Sequence, residues 1–205
     1  RDMETLLPLG IKADGDARNV RLSVDRSRLD GVDTSEWDAG AGLGIGASRP
    51  NKVWSREKFV RLGNMLSSVG LRPVIFCSEK ERKDGEYISS RVAGSALCAG
   101  FDFLRLSLAL SSLSVFIGND SGLRHMAAAL GRKTVTIFGA ENPIEWHPYK
   151  PEHGHIAISR LTEFNEKGTD VLSREFREKS FEPINSISEE EVFAAVMGLL
   201  NASGK

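Results

Sequence analysis

The feature that most constrains this chain is a rhythm of short apolar runs alternating with longer stretches of helical periodicity. The runs fall at residues 43–47, 72–77, 96–98, 114–117 and 134–138, and helical segments at 55–69, 80–92, 102–110 and 121–130 separate them. In the first of these, Phe59, Leu62, Gly63, Leu66 and Val69 recur on one helical face, with Ser55 as N-cap and Gly70 as terminator. Asp102 caps the helix that carries Leu104, Leu106, Leu108 and Leu110, and Pro73 suits only the beginning of its strand. Strands joined through helices run parallel, with right-handed crossovers. The expected fold is therefore α/β, a Rossmann-like doubly wound parallel sheet.

The chain's 205 residues are enough for one substantial core. Residues 1–42 mix turn signals with a short alternating piece at 20–24 and read as a lead-in segment or linker; residues 43–205 read as the domain itself. Residues 159–183 are charged and poorly periodic, which predicts a surface excursion. Residues 187–202 close the chain as an amphipathic helix, with Ser188 as N-cap and Glu191 completing a capping box. The sequence starts at Arg1 rather than at methionine, and the expectation is a domain of a larger protein.

Charge narrows the function classes. Lys and Arg total 27 against 28 Asp and Glu, a formal net charge of -1, so no general basic field invites nucleic acid. No apolar run reaches the length of a bilayer span. Cys77 and Cys98 lie in apolar runs and read as buried free thiols of a reducing compartment.

In open parallel sheets, ligands bind beyond the carboxyl ends of the strands. The unusual residues cluster in the loops expected there. The loop from Gly118 leads into a helix whose first N–H groups lack intrahelical partners and whose dipole favours an anion. Gly122 removes the side chain that would block a phosphate, and Ser121, Arg124 and His125 are spaced to share one face of the first turns. A plain capping role for Asp120 or Ser121 competes for each residue singly; the cluster favours a ligand site. Lys52 is placed to meet a second phosphate oxygen or a leaving diphosphate. Glu79 opens a helix, where capping and hydrogen bonding to ribose hydroxyls compete. Trp54 and Trp146 read as packing residues. His147, His153 and His155 show no convincing metal-ligand spacing, and no G-x-G-x-x-G, P-loop or G-x-S-x-G motif is present.

The block I-G-N-D-S-G-L-R-H-M-A-A-A-L-G at residues 117–131, followed by T-V-T-I-F-G at 134–139, resembles the signature of family 9 glycosyltransferases, the lipopolysaccharide heptosyltransferases. Ala47-Ser48 with K-V-W-S-R-E-K-F at 52–59 resembles their first donor loop. The resemblance implies that this chain is the C-terminal donor-binding half of a two-Rossmann-domain (GT-B) architecture, taking an ADP-heptose-like sugar. It implies that Lys52 and the Ser121-Gly122 turn meet the diphosphate, with Lys52 the catalytic group of this half. Ser48 helps at the phosphates, Glu79 meets the ribose, and Asp120 and His125 meet the sugar side. Arg124 stands where many members carry a small or apolar residue. The family inverts the anomeric centre, and neither a cofactor nor a metal is expected. The acceptor, lipid-linked or oligosaccharide, and the general base are expected on a missing N-terminal domain. That domain would also supply any peripheral contact of this cytoplasmic protein with the inner face of the bacterial membrane. The alternative function is a module that binds a nucleotide sugar without transferring it.

Overall fold

The computed structural model describes residues 21–24 and 34–202. Most of the lead-in segment, including Val20 of the alternating piece, lies outside the described residues. The sheet has six strands: β1 (Ala41–Gly44), β2 (Pro73–Cys77), β3 (Ala96–Ala99), β4 (Val115–Asn119), β5 (Lys133–Ile137) and β6 (His155–Ile158). They are ordered β3-β2-β1-β4-β5-β6, and every pair is parallel. Winding runs outward from β1 in one direction, then from β4 in the other, so the order reverses between β1 and β4. That reversal opens a crevice at the carboxyl ends of those two strands.

Alternation along the buried strands divides the core between two faces. Leu43, Ile75, Ile117 and Val135 pack against α1 (Arg56–Ser68), α2 (Arg82–Ser89) and α9 (Glu189–Asn201). Val74, Phe76, Cys98 and Phe116 pack against α3 (Phe103–Ser111) and α4 (Gly122–Ala129). Cys77 and Cys98 thus project to opposite faces as free buried thiols, and burial pushes them up to about 11 and about 12. Trp54 packs edge-on against Phe59 at 5.1 Å, and its indole N–H donates to the Ile187 carbonyl at 3.0 Å.

Several boundaries differ from the sequence expectation. β1 starts at Ala41 and ends at Gly44, because Ile45 to Ala47 turn away into the crevice loop. β4 runs on to Asn119, so Gly118 lies within the strand. β6 was not expected; its short run, headed by a histidine, carries too little alternation to stand out. The 159–183 excursion is structured, with α6 (Leu161–Glu166), α7 (Arg174–Lys179) and the start of α8 (Glu182–Asn185). Ser188 caps α9 through the Glu191 N–H at 3.2 Å, but the Glu191 carboxylate engages Arg160 rather than returning to the cap. A full capping box forms instead at Ser78 and Glu81. Trp37, before β1, is buried and packs on Phe101 at 5.6 Å. Among the described residues no helix is long and apolar enough to cross a membrane.

β1 and β4 meet at Gly44 and Gly118, which are register partners. A Cβ on Gly118 would lie 2.6 Å from the Gly44 carbonyl oxygen and 3.0 Å from its Cα, both backbone atoms of the neighbouring strand. Gly118→Ala is therefore expected to lower stability by about 1–3 kcal/mol, since only separation of the strands relieves the clash. Gly198→Ala in α9 meets nothing within 4 Å, and is expected to raise stability by up to about 1 kcal/mol through helix propensity. Urea denaturation of the two variants checks both signs.

Candidate functional site

The crevice loop begins where β1 ends. Asn119, at the end of β4, holds that loop down: its side-chain oxygen accepts the Trp54 N–H at 3.0 Å, and its amide donates to the Ile45 carbonyl at 2.7 Å. Between these two anchors the chain makes a single 3-10 turn, Pro50–Lys52, that delivers Lys52 to the middle of the crevice. The next residue of β4's exit, Asp120, donates its N–H to the Ile137 carbonyl at 3.2 Å, which turns the chain across the top of β5.

Asp120 is 5% exposed and carries two cations. Lys52 Nζ lies 2.5 Å from Oδ2, while Arg124 Nε and Nη2 donate to Oδ1 at 3.0 and 2.8 Å. Burial alone would raise the Asp120 carboxyl; the bonds from Lys52 and Arg124 outweigh it and hold the group below its ordinary value. Ser121 occupies the N-cap position of α4, yet its hydroxyl makes no capping bond. The buried Oγ finds no hydrogen-bond partner among the described residues. At Gly122 an added Cβ would meet nothing within 4 Å, so the backbone at the start of α4 is open to the crevice.

A cavity of about 890 Å³ lies over these groups. Sheet order gives it a direction. At the β2–β3 side Phe76, Cys98, Phe101, Leu106, Leu123 and Met126 form an apolar recess, with Glu79 and Gly100 beside it. Ser48, Lys52, Asp120, Ser121 and Gly122 line the centre, over the reversal point. On the β5 side stand His125, Glu141 and Trp146. Of the expected site residues, Ser48, Lys52, Glu79, Asp120, Ser121, Gly122 and His125 thus line one cavity. Arg124 does not: it is 1% exposed and sits behind Asp120, where its Nη2 also donates to the Trp146 carbonyl. The i, i+3, i+4 spacing put Arg124 on the same helical turn as His125, but its length carries it back under the carboxylate. Glu79 does not cap. That role belongs to Ser78 and Glu81, and the Glu79 carboxylate pairs with Arg82 at 2.7 Å.

Trp146, expected to pack, is 49% exposed on the cavity rim, in the short helix α5 (Pro143–Trp146). The sequence reading missed Glu141, a buried carboxylate of the cavity wall that is paired with Arg49 and with Arg177, the latter at 3.0 Å. It also missed the recess, whose members come from β2, β3, α3, α4 and the loop between β3 and α3. Asn119 was visible inside its motif but gave no sign of its bridging role.

Behind the β5 side is a packed ring cluster. His125 Nδ1 lies 2.6 Å from the Tyr149 hydroxyl, and the Tyr149 ring contacts His147 and His155 at 5.4 and 5.0 Å. Burial, reinforced by the nearby Arg124 charge, lowers His125; burial also lowers His155 and takes His147 to about 4. Among the described residues no group of three or more His, Cys, Asp or Glu is placed to hold a metal.

Comparison with known proteins bears on this arrangement. The family model for glycosyltransferase family 9 (heptosyltransferase) matches residues 20–172. Lipopolysaccharide heptosyltransferase 1 of Campylobacter coli is 25% identical over 162 residues, covering 76% of this chain and 45% of that protein. A family 9 glycosyltransferase structure from Veillonella parvula matches with a TM-score of 0.74 at 21% identity, covering 97% of this chain and 58% of the other. The E. coli heptosyltransferase WaaC with ADP matches with a TM-score of 0.64 at 15% identity, covering 83% and 47%. At these identities the structures show the shared fold, a Rossmann-like half of the GT-B architecture. The chain spans about half the length of these relatives.

The ring cluster makes stability acid-sensitive. An unfolded His147 takes up its proton near pH 6.5, and the folded one only near pH 4. Between those values the unfolded state binds more protons, so stability falls as pH drops through the window. His147→Phe keeps the ring contacts and removes the titration. Relative to the variant, the native chain is expected to lose roughly 1–3 kcal/mol between pH 6.5 and 4, read from denaturation midpoints across that range. Parallel curves would remove His147 as the source.

Proposed function

The chain belongs to glycosyltransferase family 9, and from that premise we propose that its cavity binds the nucleotide-sugar donor of an inverting heptosyltransferase of lipopolysaccharide core synthesis. The observation that carries this reading is the centre of the cavity. There Lys52, the unpartnered Ser121 hydroxyl and the open backbone at Gly122 converge on the N-terminus of α4, at the reversal point of the sheet. A diphosphate satisfies all three, and helix N–H groups and dipole add to the attraction.

The two sides of the cavity then take the two ends of an ADP-sugar. The apolar recess accepts the adenine ring, and Glu79 beside it meets the ribose hydroxyls. Ser48 joins Lys52 at the phosphates. Asp120, His125 and Glu141 face the sugar, with Trp146 on the rim. That E. coli WaaC was solved with ADP on the same fold supports this assignment.

In the proposed reaction an acceptor hydroxyl attacks the anomeric carbon from the face opposite the diphosphate. A new C–O bond forms, the bond from the anomeric carbon to the phosphate oxygen breaks, and the configuration inverts. Lys52 and the α4 amides stabilise the charge that develops on the departing ADP, so charge compensation needs no metal. The hydroxyl proton goes to a base. The reading assigns that base and the acceptor site, lipid-linked or oligosaccharide, to chain outside these 205 residues, since the relatives are about twice as long. It places the protein in the cytoplasm, meeting the membrane through the acceptor half.

Titration calorimetry with ADP and with adenosine tests the site. Gly122→Val is expected to fold normally, since nothing lies within 4 Å of the new Cβ, and to abolish ADP binding by filling the phosphate position. Lys52→Ala is expected to weaken ADP by about tenfold or more, the size of a lost charge-assisted contact, and to leave adenosine unchanged. Equal ADP affinity in Gly122→Val and the native chain would sink the diphosphate assignment; equal losses of ADP and adenosine in Lys52→Ala would make Lys52 structural.

A further inference from the structure

Lys52 has two claims on it. Its ammonium lies 2.5 Å from Asp120 Oδ2, and the donor reading asks it to meet phosphate oxygens. Turning toward a phosphate weakens its hold on Asp120. A carboxylate only 5% exposed cannot be left without a cation at small cost, because water does not replace the lost partner. The structure holds a second cation in place for it. Arg124 takes the other oxygen, Oδ1, through Nε and Nη2 at 3.0 and 2.8 Å. It lies outside the cavity lining, so an ordinary ligand does not reach it. Nη2 is also anchored on the Trp146 carbonyl, and the guanidinium rests 5.3 Å from the Phe138 ring centre and 6.0 Å from that of Tyr149. These contacts fix Arg124 whichever way Lys52 points.

We infer that Arg124 is a positioning residue of the donor site, holding Asp120 charged and fixed so that Lys52 is free to pass to the donor's diphosphate. The inference rests on the donor reading above and revises the expectation that Arg124 itself touches the ligand. Arg124 offers two parallel donors to one carboxylate oxygen from a rigid plane, which a lysine reproduces only as a point charge. Its effect on the ligand runs through Lys52, so removing it should matter for the diphosphate and not for the base. The bond from Nη2 to the Trp146 carbonyl also ties the rim of the sugar side to the same carboxylate.

A double-variant cycle on the chain as it stands tests this, with ADP and adenosine as probes. Arg124→Met is expected to weaken ADP by about tenfold or more, on the scale of a charged partner lost from a buried pair, with adenosine within about twofold. Arg124→Lys should recover part of the ADP affinity lost in Arg124→Met, by returning the charge without the two-donor fork. Because both residues act on one carboxylate, Lys52→Ala/Arg124→Met should bind ADP within about twofold of Lys52→Ala alone. If Arg124→Met does not fold, Arg124→Gln against Arg124→Lys makes the same comparison of neutral with charged. The inference is overturned if ADP and adenosine weaken alike, if the two losses multiply in the double variant, or if the neutral variants bind ADP as the native chain does. A native chain that ignores ADP, or a Lys52→Ala variant with unchanged ADP affinity, overturns the donor reading and this inference with it. A sensitive Lys52 beside an insensitive Arg124 overturns this inference alone.

Discussion

Asp120 keeps its negative charge in a place where a lone carboxylate would lose it, because Lys52 and Arg124 each take one of its oxygens. The geometry of the cavity follows from this arrangement. Lys52 arrives from the β1 loop, Arg124 from the first turns of α4, and Asp120 from the end of β4, so three segments are drawn to one point. Hydrophobic burial explains why the sheet and its helices pack, but it is indifferent to where the loops go. The directional bonds to Asp120 and Asn119 decide that. Asn119 does for the backbone what Asp120 does for the charges: its one side chain ties the exit of β1 to the entrance of α1.

The sheet supplies the space in which those loops meet. Winding reverses between β1 and β4, so no crossover helix covers their carboxyl ends. The close approach of Gly44 and Gly118 keeps the two strands flush right up to the crevice. Farther along the chain, Arg177 of α7 reaches back to the wall. Its carbonyl accepts from Asn51 at 2.9 Å, and its guanidinium pairs with Glu141, which also holds Arg49. The charged excursion therefore forms part of the cavity's support, which its sequence position gives no reason to expect.

At the cavity's centre Lys52 meets Asp120, while the carboxylates at its sides, Glu79 and Glu141, are paired with arginines of their own. The recess toward β3 is apolar, and on the opposite side burial holds His125, His147 and His155 below their usual protonation range. Burial lowers His125 and repulsion from Arg124 adds to it, so the charge that orders Asp120 also disfavours protonation of the neighbouring imidazole. A ligand with a flat apolar end, a doubly charged middle and a hydroxyl-rich end matches that distribution. The proposed donor has this form.

The α/β class, the parallel winding and the loops of interest were legible in the sequence because they rest on local signals: apolar runs of strand length, helical periodicity, N-caps at Ser55, Asp102 and Ser188, and a Gly-Asn-Asp-Ser-Gly turn. The same signals brought Ser48, Lys52, Glu79, Asp120, Ser121, Gly122 and His125 into consideration, and these line one cavity. Periodicity places a Cα on a helical face, but it does not say where a long side chain ends. Arg124 therefore read as facing the ligand, although it lies beneath Asp120. The Glu191 carboxylate went to Arg160 rather than to its own cap, and Trp146 stands on the rim rather than in the core. Glu141, the apolar recess and the bridge made by Asn119 each join residues far apart in the chain. Asn119 and Trp54 are separated by 65 positions, and Asn51 and Arg177 by 126. By itself the sequence determined the alternation of β1 to β5 with their helices, the closing helix α9, and which residue types meet at the strand ends, but not β6 or the short helices α5 to α8. Only the tertiary structure decided which side chain faces the cavity and which stands behind it, because that depends on competition for partners among groups brought together only by folding.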